Sequence, residues 1–425
     1  MSIHTDFVSS IAWTPHVVGD PSPLRPRASL RRSNGIQLPF FQRPPNSCIS
    51  HDHNHPRMNN LTSLNQEEDD EAVIIIVALA LLGKRVPIRT MRTYLTRPDL
   101  TGNPRGTSAW NHLRAVGNDR AFITVMGVDV RTFEALLVPF SIAWDSTTIT
   151  RSDVNPNGEP QPARRSLDAS GGLALLLHWL SSSMAAYTLQ QIFSITAAVC
   201  TRNLQHARGC LLAVLRDLKI GRISWPSSEE NCQYYSSLIE RKYPLLVKCF
   251  GFIDGLNLPV NVADNEELQN AYYNGWTCSH YCSNILTFAP DGTAIHAILN
   301  APGSWHDSNI AERLYGQLMN NTPPGYRVIS DTAFPRCTDR LDYRILAPMK
   351  RGDRLPDCPI EFARLKVLNE QLVSARQAAE WGMRAIQGSF SRLKLPLPAS
   401  DHEFRAEVLE LCVRLHQVRC RSIDQ

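Results

Sequence analysis

The sequence predicts an α/β protein, a mixed sheet flanked by helices, preceded by a helical region and a disordered amino-terminal tail. Three observations predict it. Short β-branched runs, two of them ending in an aspartate, flank a Pro-Asp-Gly turn between residues 247 and 331. Leucines at helical spacing fill residues 167–218. An apolar stripe at steps of three and four runs from Phe362 to Leu393.

Bulk properties bound the function. The 425 residues are 43% hydrophobic and 20% charged, enough apolar surface to exclude a wholly disordered chain. A net charge of +4 allows nucleic-acid binding only through local basic patches. The longest apolar run, Ala72 to Leu82, follows the acidic run Glu67 to Glu71 and reads as a helix start. It is shorter than the ~20 residues a spanning helix needs, so no membrane partner is expected. Met1 to Asn60 lacks the pattern of a secretion signal. The 11 cysteines form no CxxC and suit reduced thiols of an intracellular protein. Cys278, His280 and Cys282 are spaced as zinc ligands could be, but no second ligand pair follows at finger spacing.

In chain order, residues 1–62 are rich in proline and arginine and show no period, which reads as a disordered tail. Its His51, His53 and His55 could hold a metal only weakly. Residues 67–226 read as a helical domain. Within it, Leu95 to Asp119 carries no clear pattern, Phe133 to Val138 reads as a helix ended by Pro139, and Ser146 to Ala163 reads as a linker. Residues 188–208 read as helix, turn, helix, with Ile192, Ile195, Val199 and Leu204 in the shared core. The exposed side would then offer Thr196, Thr201, Arg202 and Asn203 to phosphates or base edges. An ordinary helical hairpin is the plainer alternative.

A different pattern begins at Val247. Val247 to Ile253 has strand composition and ends in Asp254-Gly255. Tyr281 to Phe288 and Ala294 to Leu299 flank Pro290-Asp291-Gly292 as a hairpin. A Pro-Gly turn then leads to a helix near Ser308, with Asp307 in its first turn. Tyr326 to Ser330 forms a further strand before Asp331. Three strands, a helix and a fourth strand is the order of a ribonuclease H-like core over residues 245–395, followed by a carboxyl-terminal helix in 396–425. In that topology the fourth strand lies beside the first, so Asp254 and Asp331 would emerge together, faced by Asp307. Glu380 borders the apolar stripe of the long helix and could reach them. Crowded carboxylates strain each other's ionisation unless a cation sits between them, and oxygen ligands favour Mg²⁺ or Mn²⁺.

Four blocks then become specific together: Gly251-Phe-Ile-Asp-Gly255, Pro302-Gly-Ser-Trp-His-Asp-Ser308, Ser330-Asp-Thr-Ala-Phe-Pro335, and Arg376-Gln-Ala-Ala-Glu380 with Phe390-Ser-Arg-Leu-Lys394. In this order they resemble the blocks of PIF/Harbinger-type DDE transposases and the nucleases derived from them. The resemblance implies metal ligands Asp254, Asp307, Asp331 and Glu380, with Asp254, Asp331 and Glu380 as the minimal catalytic triad. It implies DNA cleavage with two divalent cations, a separate Myb-like DNA-binding partner, and a nuclear location, with a homo-oligomer also open. Asn257 departs from the histidine many members carry there. Arg376, Arg384, Arg392 and Lys394 would track the DNA backbone, or else form a solvated helix face. His306 would orient a carboxylate, contact phosphate, or cap its helix. A DNA-binding protein that no longer cuts, and a helical interaction module on an inert core, are the competing expectations.

Overall fold

The computed structural model describes residues 15–18, 94–151, 153–155, 157–334, 341 and 343–423. The histidines at 51, 53 and 55 and the apolar run 72–82 lie outside them. Near the amino terminus His16–Val18 forms strand β1. Helices α1 (Ala109–Val116) and α2 (Asp119–Met126) begin on the side-chain caps Ser108 and Asn118. They end at Gly117 (φ 59°) and Gly127 (φ 76°), left-handed positions that disfavour any side chain. Trp110 packs on Phe122, Phe133 and Phe193 with ring centroids 6.1, 5.6 and 6.1 Å away. Part of that aromatic core therefore comes from the stretch 95–119 that carried no sequence pattern.

Helix α3 (Val130–Ser146) does not stop at Pro139 but runs through it. A proline inside a helix costs about 3 kcal/mol in lost hydrogen bonding and clash. Phe140 and Trp144, both fully buried, lie beyond it, and burial at about 1.5–3 kcal/mol for each large apolar side chain offsets that cost. Helices α4 (Ala169–Ser181), α5 (Ala186–Phe193) and α6 (Ala197–Asp217) follow. Between α5 and α6 the turn residue Ser194 takes φ 54°. Helix α7 (Glu229–Glu240) then leads into the sheet.

The sheet uses β1 with β2 (Cys249–Pro259), β4 (Ser279–Phe288), β5 (Ala294–Pro302), β6 (Arg327–Ile329) and β7 (Ile345–Leu346). Helix α8 (Glu266–Tyr272) and the two-residue β3 (Tyr273–Asn274) lie between β2 and β4. Helices α9 (Asp307–Ile310) and α10 (Glu312–Asn320) lie between β5 and β6, and α11 (Pro359–Ser389) and α12 (His402–Ile423) close the chain. The strand order is β1-β5-β4-β2-β6-β7, with β3 attached to β4. The β2–β4–β5–β1 pairs are antiparallel, whereas β6 joins β2 in parallel. This seven-stranded mixed sheet flanked by helices is consistent with a ribonuclease H-like core.

Two expectations about the sheet change. The segment read as tail supplies β1, whose Val17 lies opposite Ile298 of β5. Strand β2 does not end at Asp254-Gly255, because antiparallel pairing with β4 carries it on to Pro259 opposite Tyr281. The long apolar stripe is buried only from Leu372 onward, and Phe362 near its start stays exposed.

One face of the sheet packs under α11, α12 and the amino-terminal helices, sharing Phe252, Leu286, Ala379 and Val413 in one apolar cluster. Ile253, Ile298, Ile310 and Leu314 belong to the cluster on the other side. Two charged residues buried at the first cluster's border tie elements together. Arg405 donates to Asn300 Oδ1 (2.9 Å), to the Pro398 and Ala399 carbonyls and to the Tyr272 hydroxyl. Glu410 accepts from Arg216 and Arg414 and meets His16 Nε2 at 2.5 Å, joining β1, α6 and α12. Among the described residues no helix is long and apolar enough to cross a membrane.

Candidate functional site

Side chains alternate along β2, so Phe252, Asp254 and Leu256 share the face beneath α11, while Ile253 and Gly255 share the face toward α9 and α10. Strand β6 sets Ile329 beside Phe252. Carrying that parallel register on by two residues sets Asp331 alongside Asp254. Asp331 is fixed by its own turn, where Oδ1 accepts from the Ala333 N–H at 2.9 Å. Glu380 follows the fully buried Ala379 on α11, stays partly exposed, and accepts from Arg376 at 3.1 Å.

These charges sense one another. Burial pushes the Asp254 carboxyl up to about 6; the Gly255 N–H, donating to its Oδ1 at 2.9 Å, and Arg376 hold it down, while Asp331 and Glu380 raise it. Asp307 is also raised, first by burial and then by Asp331, with His306 opposing. Asp331 is thus the acid common to both environments. Asp254, Asp331 and Glu380 share one neighbourhood, and Asp307 stands behind β2.

Gly255 explains that placement. A Cβ built there would lie 2.9 Å from Asp307 Oδ2, so the carboxylate occupies the space that any side chain would fill. Because β2 is fixed by its pairing, Gly255→Ala is expected to cost about 1–3 kcal/mol by overpacking. Adding Asp307→Ala should return most of that loss. Melting temperatures of the two single variants and the double variant check the coupling, and additive losses would contradict it.

The chemistry of this donor set suits a hard divalent cation. All four side chains are carboxylates; Asp331 and Glu380 both act on Asp254, and Arg376, paired with Glu380, opposes them there. Among the described residues, no three His, Cys, Asp or Glu side chains close on a common point as a finished metal centre does. The acids match such an ion in donor type.

The remaining candidates divide. Arg376 is tied to Glu380, whereas Arg384 and Lys394 are exposed. Arg392 does not offer itself to DNA as expected: it stacks 4.6 Å over the Trp179 ring and donates to the Trp179 carbonyl, because the chain turns inward after Phe390. Asn203 is also inward rather than exposed, and its amide donates to the Val199 carbonyl at 2.7 Å. Arg202 lines a groove of about 560 Å³ together with Arg151, Arg164 and Arg165. His306 caps α9, its Nδ1 accepting from the Ser308 N–H. Asn257 accepts from the Ser283 hydroxyl. Cys282 is buried, and Cys278 sits at an exposed turn. The sequence reading missed the role of Gly255, although its place directly after Asp254 was a signal, and missed Trp276, an exposed aromatic between Asn274-Gly275 and Thr277.

Residues 253–417 match the family described as DDE superfamily endonuclease. The matched segment is less than half of the chain; it opens one residue before Asp254 and contains all four acids. No curated protein and no solved structure matches the chain. The segment is thus similar to a nuclease domain of the transposase kind.

Proposed function

We propose that this chain is a divalent-metal-dependent DNA endonuclease of the PIF/Harbinger transposase type, built on a ribonuclease H-like core. The observation that carries the reading is the parallel β2–β6 pair, whose register, continued two residues past Phe252 and Ile329, would bring Asp331 beside Asp254. The response of Asp254 to both Asp331 and Glu380 adds to it.

In this reading Asp254, Asp331 and Glu380 hold Mg²⁺ or Mn²⁺. Such ions, two in the full mechanism, supply charge neutralisation at the phosphorus and a lowered pKa for the attacking oxygen. Burial raises the Asp254 carboxyl to about 6, and a bound cation would favour its charged form. Arg376 holds the Glu380 carboxylate in place and meanwhile offsets the crowded acids. Asp307 acts as a positioning acid behind β2, so Asp307→Asn should slow cutting less than loss of any of the three. Arg384, Lys394 and the arginine-lined groove at Arg202 would meet the DNA backbone, the source of salt-dependent affinity. A Myb-like DNA-binding partner, a nuclear location and self-association belong to the same proposal through the resemblance.

The ion pair between Glu380 and Arg376 favours a second reading, a DNA-binding protein that has lost cutting. Nicking of supercoiled DNA in Mn²⁺ decides between the two. Cutting by the wild type that disappears in Asp254→Ala supports the nuclease; salt-sensitive binding with no cutting supports the binder.

A further inference from the structure

Trp276 is 95% exposed, the most exposed large apolar side chain among the described residues. The turn that carries it is firmly built. Asn274 Oδ1 accepts from the N–H groups of Trp276 and Thr277, both at 3.1 Å, and Thr277 and Ser279 share a hydrogen bond between hydroxyls. Tyr273 at its base packs against His280 in a tilted pair, with centroids 5.1 Å apart and ring planes at 52°. The turn is also bonded to the segment that leads into Asp307. Asn274 Nδ2 donates to the Gly303 carbonyl at 2.8 Å, and the Ser304 N–H donates to the Ala271 carbonyl at 3.1 Å. The backbone that carries the indole is therefore held on the same frame as the acid-bearing loop, two residues from its anchor Asn274.

We propose that Trp276 is a stacking platform for an unpaired nucleobase of the DNA at this site. The inference rests on the reading that the acids act on DNA, and it adds the form of DNA recognised. The surroundings of the ring argue for a base over a protein partner. Asn274, Gly275, Thr277 and Ser279 make a mostly polar rim in which Tyr273, 39% exposed, is the one other large apolar side chain of the turn, whereas a protein interface buries a wide contiguous patch. A single flat π-face on a rigid turn matches base–aromatic stacking, which tolerates any sequence because every base has a π-face.

The test uses the full chain in EDTA, so that no cutting interferes, with fluorescence anisotropy on three labelled oligonucleotides. These are a single strand, a duplex with one unpaired base, and a fully paired duplex. Trp276→Ala should weaken the first two by about tenfold and the third by less than about twofold. Trp276→Phe should keep most of the affinity, and Trp276→Leu, apolar but without a π-face, should behave like Ala. Equal losses on all three DNAs, no loss on any, or full affinity in Trp276→Leu would overturn the proposal. Wild-type nicking in Mn²⁺ is measured alongside. Discrimination without nicking sinks the nuclease reading alone, nicking without discrimination sinks the platform alone, and a wild type that binds none of the DNAs overturns both.

Discussion

Asp254→Ala is expected to lower Mn²⁺-dependent nicking by at least about 10³-fold, the scale of losing a principal electrostatic contributor at a phosphoryl-transfer centre. The same position makes an opposite prediction for stability. The folded-state pKa of Asp254, about 6, stands above its ordinary 3.8, so between those values the folded chain holds the extra proton. Charged Asp254 therefore costs stability, fully above pH 6 and not at all below the unfolded pKa. Asp254→Asn should melt higher than wild type at pH 8, by about 1–2 kcal/mol after allowing for partial solvent contact, with the gap closing near pH 4. A variant that loses cutting while gaining stability would mark a site built for function, and loss of both would mark a merely structural acid.

Glu410→Ala carries the largest expected loss of stability. Glu410 is 2% exposed and serves Arg216, Arg414 and His16, so its removal strands the buried Arg414, while Arg216 and His16 reach solvent. Breaking such a network by deleting one partner costs about 3–5 kcal/mol, which in a chain of this size lowers the melting temperature by about 4–7 °C. Burial would raise the Glu410 carboxyl, but its hydrogen bonds to Arg216, His16 and Arg414 hold it far below the usual range. That stabilisation is present above the unfolded pKa of Glu410 and fades as pH falls toward the folded one. Glu410→Gln should accordingly flatten the acid side of the wild-type stability curve. Thermal melts from pH 3 to pH 8 check both statements, and parallel curves for wild type and Glu410→Gln would contradict the second.

What could be read from the sequence was what local chemistry decides. The Pro290-Asp291-Gly292 turn specifies its own hairpin, and β4 and β5 flank it. The three-and-four spacing before Leu393 specifies the helix Pro359–Ser389, and Asp307 does open a helix. Misreadings fall where distant packing outweighs local preference. Pro139 is carried inside α3 because Phe140 and Trp144 are buried beyond it. His16–Val18 becomes a strand only because β5 has a free edge to pair with. Asn203 and Arg392 look exposed on a helical wheel or in a basic run, yet one turns to Val199 and the other covers Trp179.

The acids of the candidate site were read as a set from the four sequence blocks that carry them; Asp307 and Asp331 sit at element ends, whereas Asp254 lies inside β2 and Glu380 inside α11. Their division into Asp254, Asp331 and Glu380 on one side and Asp307 behind the strand was not legible. It depends on which way a single residue of β2 faces, and on Gly255 leaving the space that Asp307 Oδ2 fills. The turn at Trp276 was equally hidden, since its meaning comes from the bond between Asn274 and Gly303 across the fold.

The most direct measurement is the thermal shift of wild type, Asp254→Asn and Asp331→Asn on adding Mn²⁺ at pH 7.5, without DNA. An ion captured between these carboxylates at a hundredfold excess over its Kd should stabilise the wild type by about 3 kcal/mol, a rise of several degrees, and leave both variants almost unmoved. An unmoved wild type, or equal rises in all three proteins, would contradict a shared cation site at Asp254 and Asp331.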